Sequence, residues 1–464
     1  MSKIEVDAID KQSGSTLTLG GSGTAVTLGA GATQTGFGRT GTVDWQTGDI
    51  KTGTFTGSNG EGYFVNTTSG GVTANLPASP SAGNIVAFAD YAGTAGTNTI
   101  TIGRNGSNIE GAARDGAITN DRDSITLVFV DGTQGWVPIN DNESSFLAPT
   151  FICASVSGAC NTLVTAPDCA NTKIATFVGP GTFTVNSISS AAENNEVSYV
   201  VVAGGGGSGG TRSHIQAGGG GGAGGFREAK SPVTPYTASP LDGYSVPGNR
   251  VTVTATGFPI AVGAGGTAGG SGGGHPTVPD GPASGDGGVS TFSTITSAGG
   301  GGGGQPSAAG VGPAPGHNGG SGGGGGGGNP ARPGGTGNTP PTSPAQGTNG
   351  GTGQPGGPNS SGSGGGATGA GVQAPTSVPN PAGGGAGAAS SISASSVTYA
   401  GGGNYAAYCG PTYKPVSNAT ANTGNGASAN NGSGPANMPF GDLNTYWNGR
   451  VGGSGIVIIR YKFQ

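Results

Sequence analysis

Between residues 259 and 398 the chain has a single aromatic residue, Phe292, and between 333 and 413 it has no Asp, Glu, Lys or Arg. Glycine fills the space instead, in runs such as Gly218 to Gly222 and Gly322 to Gly328. A stretch of this kind has no side chains with which to build an apolar core. Aperiodic glycine plus proline above about 25–30% ordinarily means disorder, because glycine loses the most backbone entropy on ordering. An ordered alternative exists only if the backbone groups pair with one another. An extended left-handed helix with three residues per turn makes no internal hydrogen bonds, so every N–H and C=O points outward to a neighbour. Side-chain-free copies of that helix can pack backbone to backbone. Collagen uses the same geometry but needs a strict Gly-X-Y repeat, which the run Gly322 to Gly328 breaks. A polyglycine II bundle is therefore the predicted fold of residues 204–450.

Two strongly β-prone runs bracket that region. Val197-Ser198-Tyr199-Val200-Val201-Val202 leads into it, and Ile456-Val457-Ile458-Ile459-Arg460-Tyr461 leads out of it. Pairing these two strands would clamp both ends of the bundle. Each net backbone hydrogen bond contributes about 1 kcal/mol against an ordering cost of about 1–2 kcal/mol per residue. Dense packing and the clamp must supply the balance.

The rest of the chain reads as all-β. Residues 1–45 repeat one phrase, Thr16-Leu17-Thr18-Leu19-Gly20 and Ala25-Val26-Thr27-Leu28-Gly29. Strand-turn units of that size need stacked neighbours, so this segment is expected to mediate attachment and trimerisation. Residues 46–148 alternate apolar and polar residues over 63–65, 72–76, 85–88, 99–102, 125–130 and 136–139, and predict a small antiparallel β-sandwich. The turns at 67–71 and Asp131-Gly132 are expected to close hairpins. Residues 149–203 are expected to hold a cysteine-bearing linker and clamp strands, and residues 451–464 the C-terminal clamp strand.

Several functions are disfavoured. A net charge of −5 and the lack of any Lys/Arg cluster argue against nucleic acid. The opening residues lack the continuous apolar core of a signal peptide, and no later run is long enough to span a membrane. No lysine follows a glycine, which excludes a Walker A loop, and no glycine motif has a strand-loop-helix setting for phosphate. The Gly-x-Ser-x-Gly centred on Ser208 has His214 nearby but no acidic partner. Asp121, Asp123, Asp131, Asp141 and Glu143 are the best carboxylates for a polysaccharide depolymerase or for calcium, yet their turn-rich setting is that of solvated hairpin ends. No cofactor, metal site or catalytic residue is expected. Cys153, Cys160, Cys169 and Cys409 are either free thiols or a framework in which one of the first three pairs with Cys409. The spacing cannot choose among the connectivities.

Aromatic residues return at the end of the glycine region, where Tyr405, Tyr408, Tyr413, Tyr446 and Trp447 crowd together, with a second cluster at Tyr236 and Tyr244. Rings on loops anchor interfaces and sugars at low entropic cost, and these residues are the candidate receptor contacts. The competing reading is a satellite core that caps the bundle.

The order of phrases Val200-Val201-Val202-Ala203-Gly204-Gly205-Gly206-Gly207, then Gly218 to Glu228, then Val262-Gly263-Ala264-Gly265-Gly266, and last Gly452 to Tyr461, resembles the glycine-rich domain of tail-fibre proteins of tailed bacteriophages. The block with Gly62-Tyr63-Phe64-Val65-Asn66-Thr67, Asn75-Leu76-Pro77 and Gly135-Trp136-Val137 is similar to modules in fibres of marine, cyanophage-like phages. The resemblance implies an elongated virion fibre, assembled in the host cytoplasm, whose tip displays variable loops to the host. It implies a homotrimer, a tail or baseplate protein as partner at the N-terminus, and a host cell-surface glycan or outer-membrane protein as receptor. A purely structural appendage, a depolymerase and a secreted matrix protein are the alternatives.

Overall fold

The computed structural model describes residues 43–139, 147–148, 150–211, 217–270, 283–306, 314–328, 330–355, 360–373, 383–406, 416–430 and 448–464. The repeated phrases at 16–29 lie outside this set. The chain forms two compact units, 1–148 and 149–464, and the secondary structure is almost entirely β.

In the first unit the strands are β1 (Asp44–Lys51), β2 (Phe55–Thr56), β3 (Glu61–Val65), β4 (Val72–Asn75), β5 (Ile85–Asp90), β6 (Ile100–Gly103), β7 (Gly116–Ile118), β8 (Ser124–Asp131) and β9 (Gly135–Pro138). They form two sheets, ordered β1-β3-β5-β8-β9 and β2-β4-β6-β7. Tyr63, Val65, Phe88, Leu127 and Trp136 from one sheet meet Val72, Ala74, Ile100, Ile102 and Ile118 from the other in one core. The sandwich is there, but its first six strands are not antiparallel. They alternate between the sheets, so that β1, β3 and β5 run parallel, as do β2, β4 and β6. The chain thus winds around the core. The turn at 67–71 is a corner between sheets rather than a hairpin, whereas Asp131-Gly132 does close the antiparallel pair β8–β9. Period-two alternation looks the same in either case, because it reports which face is buried and not the direction of the neighbour.

The second unit contains β10 (Cys153–Val156), β11 (Thr162–Ala166), β12 (Cys169–Phe177), β13 (Gly181–Ser187), β14 (Glu196–Val202), β15 (Phe226–Ala229), β16 (Val251–Thr252), β17 (Gly257–Ala261), β18 (Ser290–Phe292), β19 (Ile295–Ser297), β20 (Ala388–Ser390), β21 (Val397–Tyr399) and β22 (Ile456–Lys462). The cysteine segment is therefore not a linker, since β10 and β11 lie within it. The clamp forms as the sequence predicts: β14 and β22 pair antiparallel, with Val200 opposite Ile458 and Val202 opposite Ile456. Both faces of this pair are buried. Tyr199, Val201, Val457, Ile459 and Tyr461 enter the core shared with the β10-β13-β17-β18-β19 sheet. Val200, Val202, Ile456 and Ile458 enter a second core with Phe226, Ile392 and Tyr399. Phe292, the lone aromatic of its stretch, is fully buried beside Phe183, Tyr199 and Phe258, with centroids 6.0–6.4 Å away. Arg460 on β22 is completely buried, and its guanidinium forks onto both carboxylate oxygens of Asp168 at 2.8 and 3.0 Å.

Ile459→Ala removes a fully buried side chain from the centre of the clamp. It should destabilise the second unit by about 2–5 kcal/mol, read as a lowered unfolding midpoint in urea with an unchanged m-value.

Candidate functional site: a glycine lattice with one connecting end

Residues 203–211 leave β14 and bond to their neighbours with a period of three. Gly204 and Gly207 donate their N–H groups to the carbonyls of Gly288 and Gly285; Gly205 and Ser208 donate to Gly453 and Arg450; Gly206 and Gly209 donate to Gly222 and Gly219. The carbonyls of the same segment accept from Gly300 and Gly303, from Gly266 and Gly269, and from Ala427, all at 2.8–3.0 Å. Each third of a turn faces a different partner, which is the polyglycine II arrangement, and each helix inside the bundle is surrounded by others. Residues 217–225 and 320–328 repeat the scheme. Gly219, Gly222 and Gly225 donate to Gly304, Gly301 and Ala298, and Ser321, Gly324 and Gly327 donate to Ala223, Gly220 and Ala217.

Glycine is required by that closeness. A Cβ at Gly265 would be driven into the carbonyl oxygen of Gly452, one at Gly287 into that of Gly204, and one at Gly364 into that of Gly221. Helices at the rim relax the demand on one face only. Along 263–269, Gly263, Gly266 and Gly269 are buried while Ala264 and Thr267 are exposed. Side-chain oxygens also serve as acceptors for lattice amides. Ser208 Oγ accepts from the Arg450 N–H, Gln346 Oε1 from Ala298, and Asp286 Oδ1 from Gly302, each at 2.8 Å.

The bond pattern also fixes the direction of every helix. Residues 217–225 run antiparallel to 203–211, whereas 266–269 and 300–303 run parallel to it. Followed through the bundle, the chain ends at 211 and 217, 270 and 283, 306 and 314, 355 and 360, 373 and 383, 406 and 416, and 430 and 448 all fall at the end away from the clamp. At the opposite end the chain returns through the strand excursions that contain β15–β17, β18–β19 and β20–β21, and through strand-free turns at 319–321, 336–347, 367–369 and 421–424. The bundle is thus anchored at one end and joined by connecting segments at the other.

The predicted aromatic residues divide accordingly. Tyr408, Tyr413, Tyr446 and Trp447 fall in the connecting segments 407–415 and 431–447, outside the described residues. Tyr405 is only 4% exposed and packs beside Gly383, so its ring is part of the bundle rather than a contact surface. Tyr236 and Tyr244 sit at the clamp end. Tyr236 lies beneath the Arg460 guanidinium, 5.7 Å from it, and its hydroxyl is pushed far up by burial and by Glu228. Tyr244 donates to Glu196 at 2.7 Å and stacks under Arg250 at 4.5 Å. Glu228 is buried, its carboxyl pushed up by desolvation, and it accepts from the Ser239 amide and the Ser390 hydroxyl. These groups fasten the strand excursions to the clamp.

The carboxylates weighed for sugar chemistry hold backbone amides of turns and loops. Asp121 accepts from Gly96, Asp123 from Ser124, and Asp131 from Thr133 and Gln134. Asp141 and Glu143 lie outside the described residues. Ser208 is completely buried within the lattice. Among the described residues there is no group of three or more His, Cys, Asp or Glu side chains able to hold a metal. Cys153 and Cys160 are exposed free thiols and Cys169 is a half-exposed one; Cys409 lies outside the described residues.

One titratable pair does join two helices. His317 Nδ1 and Asp286 Oδ1 are 2.7 Å apart. The hydrogen bond to Asp286 raises the imidazole, and although burial opposes it, the same bond with the Gly302 amide holds the Asp286 carboxyl down. The raised His317 stabilises the fold at low pH and stops doing so as pH rises through its folded value. The lowered Asp286 stabilises it at higher pH and stops as pH falls through its own. Their joint contribution therefore lies between the two, and it is small at this exposure.

The family model described as Glycine-rich domain matches residues 178–462, from the residue after β12 to the last residue of β22. The chain belongs to this glycine-rich domain family. The match takes in the clamp together with the lattice, so the two form one domain. No curated protein matches the chain.

Gly364→Ala should destabilise the domain by about 1–3 kcal/mol. Gly248→Ala, where a Cβ meets nothing within 4 Å, should stay within about 0.5 kcal/mol; thermal unfolding of the two variants checks the contrast. Asp286→Asn should drop the His317 titration midpoint towards or below the ordinary imidazole value, followed by NMR of the ring protons.

Proposed function

We propose that the chain is a subunit of a tailed-phage tail fibre and acts as a non-enzymatic host-recognition adhesin. The observation that carries this reading is the polarity of the lattice. In an array of helices held by the clamp, the described chain ends that flank 407–415 and 431–447 fall at the far end, and the sequence puts Tyr408, Tyr413, Phe440, Tyr446 and Trp447 into those two segments. Recognition surfaces are commonly built this way, with loops of free composition mounted on a scaffold that does not move. The order of glycine and strand phrases that resembles phage fibres supports the same reading. In it, the chain assembles as a homotrimer in the virion, docks through its N-terminal segment on a tail or baseplate protein, and meets a host glycan or outer-membrane protein with the connecting end.

A purely structural appendage would share the lattice and lack the recognition. The discriminating experiment replaces 407–415 and 431–447 by Gly-Ser segments of equal length. Binding of the purified protein to host cells should be lost while the unfolding temperature stays within a few degrees of the parent; undiminished binding would remove the assignment.

A further inference from the structure

Among the described residues, the side of the lattice opens into a cleft beside Gly401. Most bundle glycines would drive a Cβ into a neighbouring backbone, but at Gly401 the nearest atom is the Asn425 Oδ1 at 3.4 Å, an ordinary contact. The reason is visible in the packing. Residues 400–406 and 424–430 lie side by side, with Gly426 and Ala429 donating to Gly401 and Asn404. The segment 416–420 forms the facing wall, held to the last helix by the Ala419 N–H donating to Val451. The result is a cleft of about 230 Å³ lined by Gly401, Gly402, Ser417, Asn418, Ala419, Thr420, Asn425, Gly426 and Ser428.

Its chemistry is unusual for a ligand pocket, which is ordinarily apolar with few polar groups. No lining residue is titratable, and none is a large apolar side chain. The nearby Arg450 donates to the Val416 carbonyl at 2.6 Å and does not line the cleft. The two carboxamides are held in place through their oxygens: Asn425 Oδ1 accepts from Gly401 at 2.8 Å and Asn418 Oδ1 from Val451 at 3.1 Å. That fixes which end of each amide is bound, and leaves the Nδ2 groups as donors with four potential N–H bonds between them. Ser428 Oγ accepts from Asn404 and keeps its own proton to donate, and the Ser417 and Thr420 hydroxyls also line the space. A charged ligand would find no counter-charge here, and an apolar one would strip water from these groups without replacing it. A ligand dense in neutral hydroxyls returns a hydrogen bond for each water displaced.

We propose that this cleft is a binding site for a neutral saccharide, with Asn418 and Asn425 as the orienting donors. The site is on the flank of the bundle, lined by residues outside the segments 407–415 and 431–447, and goes beyond the adhesin reading because it requires no host. Saturation-transfer NMR on the purified full chain tests it with methyl glucoside, methyl galactoside and methyl mannoside, and with methyl glucuronide as the anionic control. At least one neutral glycoside should bind and the glucuronide should bind more weakly. Asn418→Asp and Asn425→Asp keep the acceptor oxygens that the backbone uses but replace the donors, and each should weaken binding about tenfold. Gly401→Ala adds a methyl into the cleft without meeting backbone, and should weaken binding with an unchanged unfolding temperature. Failure of every neutral glycoside to bind, equal or tighter binding of the glucuronide, or binding indifferent to Gly401→Ala and to both Asp variants would each overturn the site and leave a hydrated groove only. Host-cell binding by the parent chain is scored separately, so the cleft and the connecting end can fail independently.

Discussion

The second unit depends on a backbone N–H of one extended helix reaching the carbonyl of another across a gap that no Cβ can enter. A hydrogen bond between two glycine backbones is individually weak, about 1 kcal/mol net. What gives the arrangement weight is that a buried N–H left unpaired costs more than a paired one contributes. Inside the lattice each residue's partner belongs to a different helix from that of the residue before it. Removing one helix therefore orphans groups on all of its neighbours, and the bundle is cooperative although it contains almost no apolar side chains.

That cooperativity does not overcome the entropy of ordering glycine, which is larger than for any other residue. The deficit is met at the clamp end. Three of the returns at that end are strand excursions packed on β14 and β22, so the apolar cores around Tyr199, Phe292 and Ile459 act on the lattice through the chain ends they fix. Arg460 illustrates how closely this end is specified. A buried guanidinium is costly unless both its charge and its donors are met, and Asp168 meets it from the turn between β11 and β12, far away in sequence. The clamp is the conventional protein that makes the unconventional one affordable.

Much of this was legible in the sequence, and for physical reasons. The β14 and β22 runs are continuous rather than alternating because both faces are buried, and such runs can be read directly. The purest glycine runs, 218–222 and 322–328, are the interior helices. The mixed runs, such as Gly263-Ala264-Gly265-Gly266-Thr267, are rim helices with one face in water. What could not be read is equally explicable. β1 is mostly exposed and polar, so no apolar pattern announces it. Parallel winding of the first unit leaves the same alternation as hairpins would. The strands within the cysteine segment are short and half-exposed. Tyr405 sits among the other late tyrosines in sequence, yet it faces the bundle, and residue spacing in a three-fold helix whose ends are unknown cannot distinguish the two. The cleft at Gly401 was invisible because its walls come from three separate stretches, 401–402, 417–420 and 425–428, whose meeting no residue pattern marks.

A lattice of this type separates two requirements that ordinary domains must satisfy with the same residues. In a β-sandwich, half the positions of each strand are committed to the core, and strand edges must be protected. Here the packing is carried by atoms common to all residues, and inward faces hold glycine with a few small side chains such as Ser208, Ala223 and Ser321. Outward positions at the rim, such as Ala264 and Thr267, are released from that packing role. Composition can then change at the rim without disturbing the scaffold, provided the glycines and the clamp stay as they are.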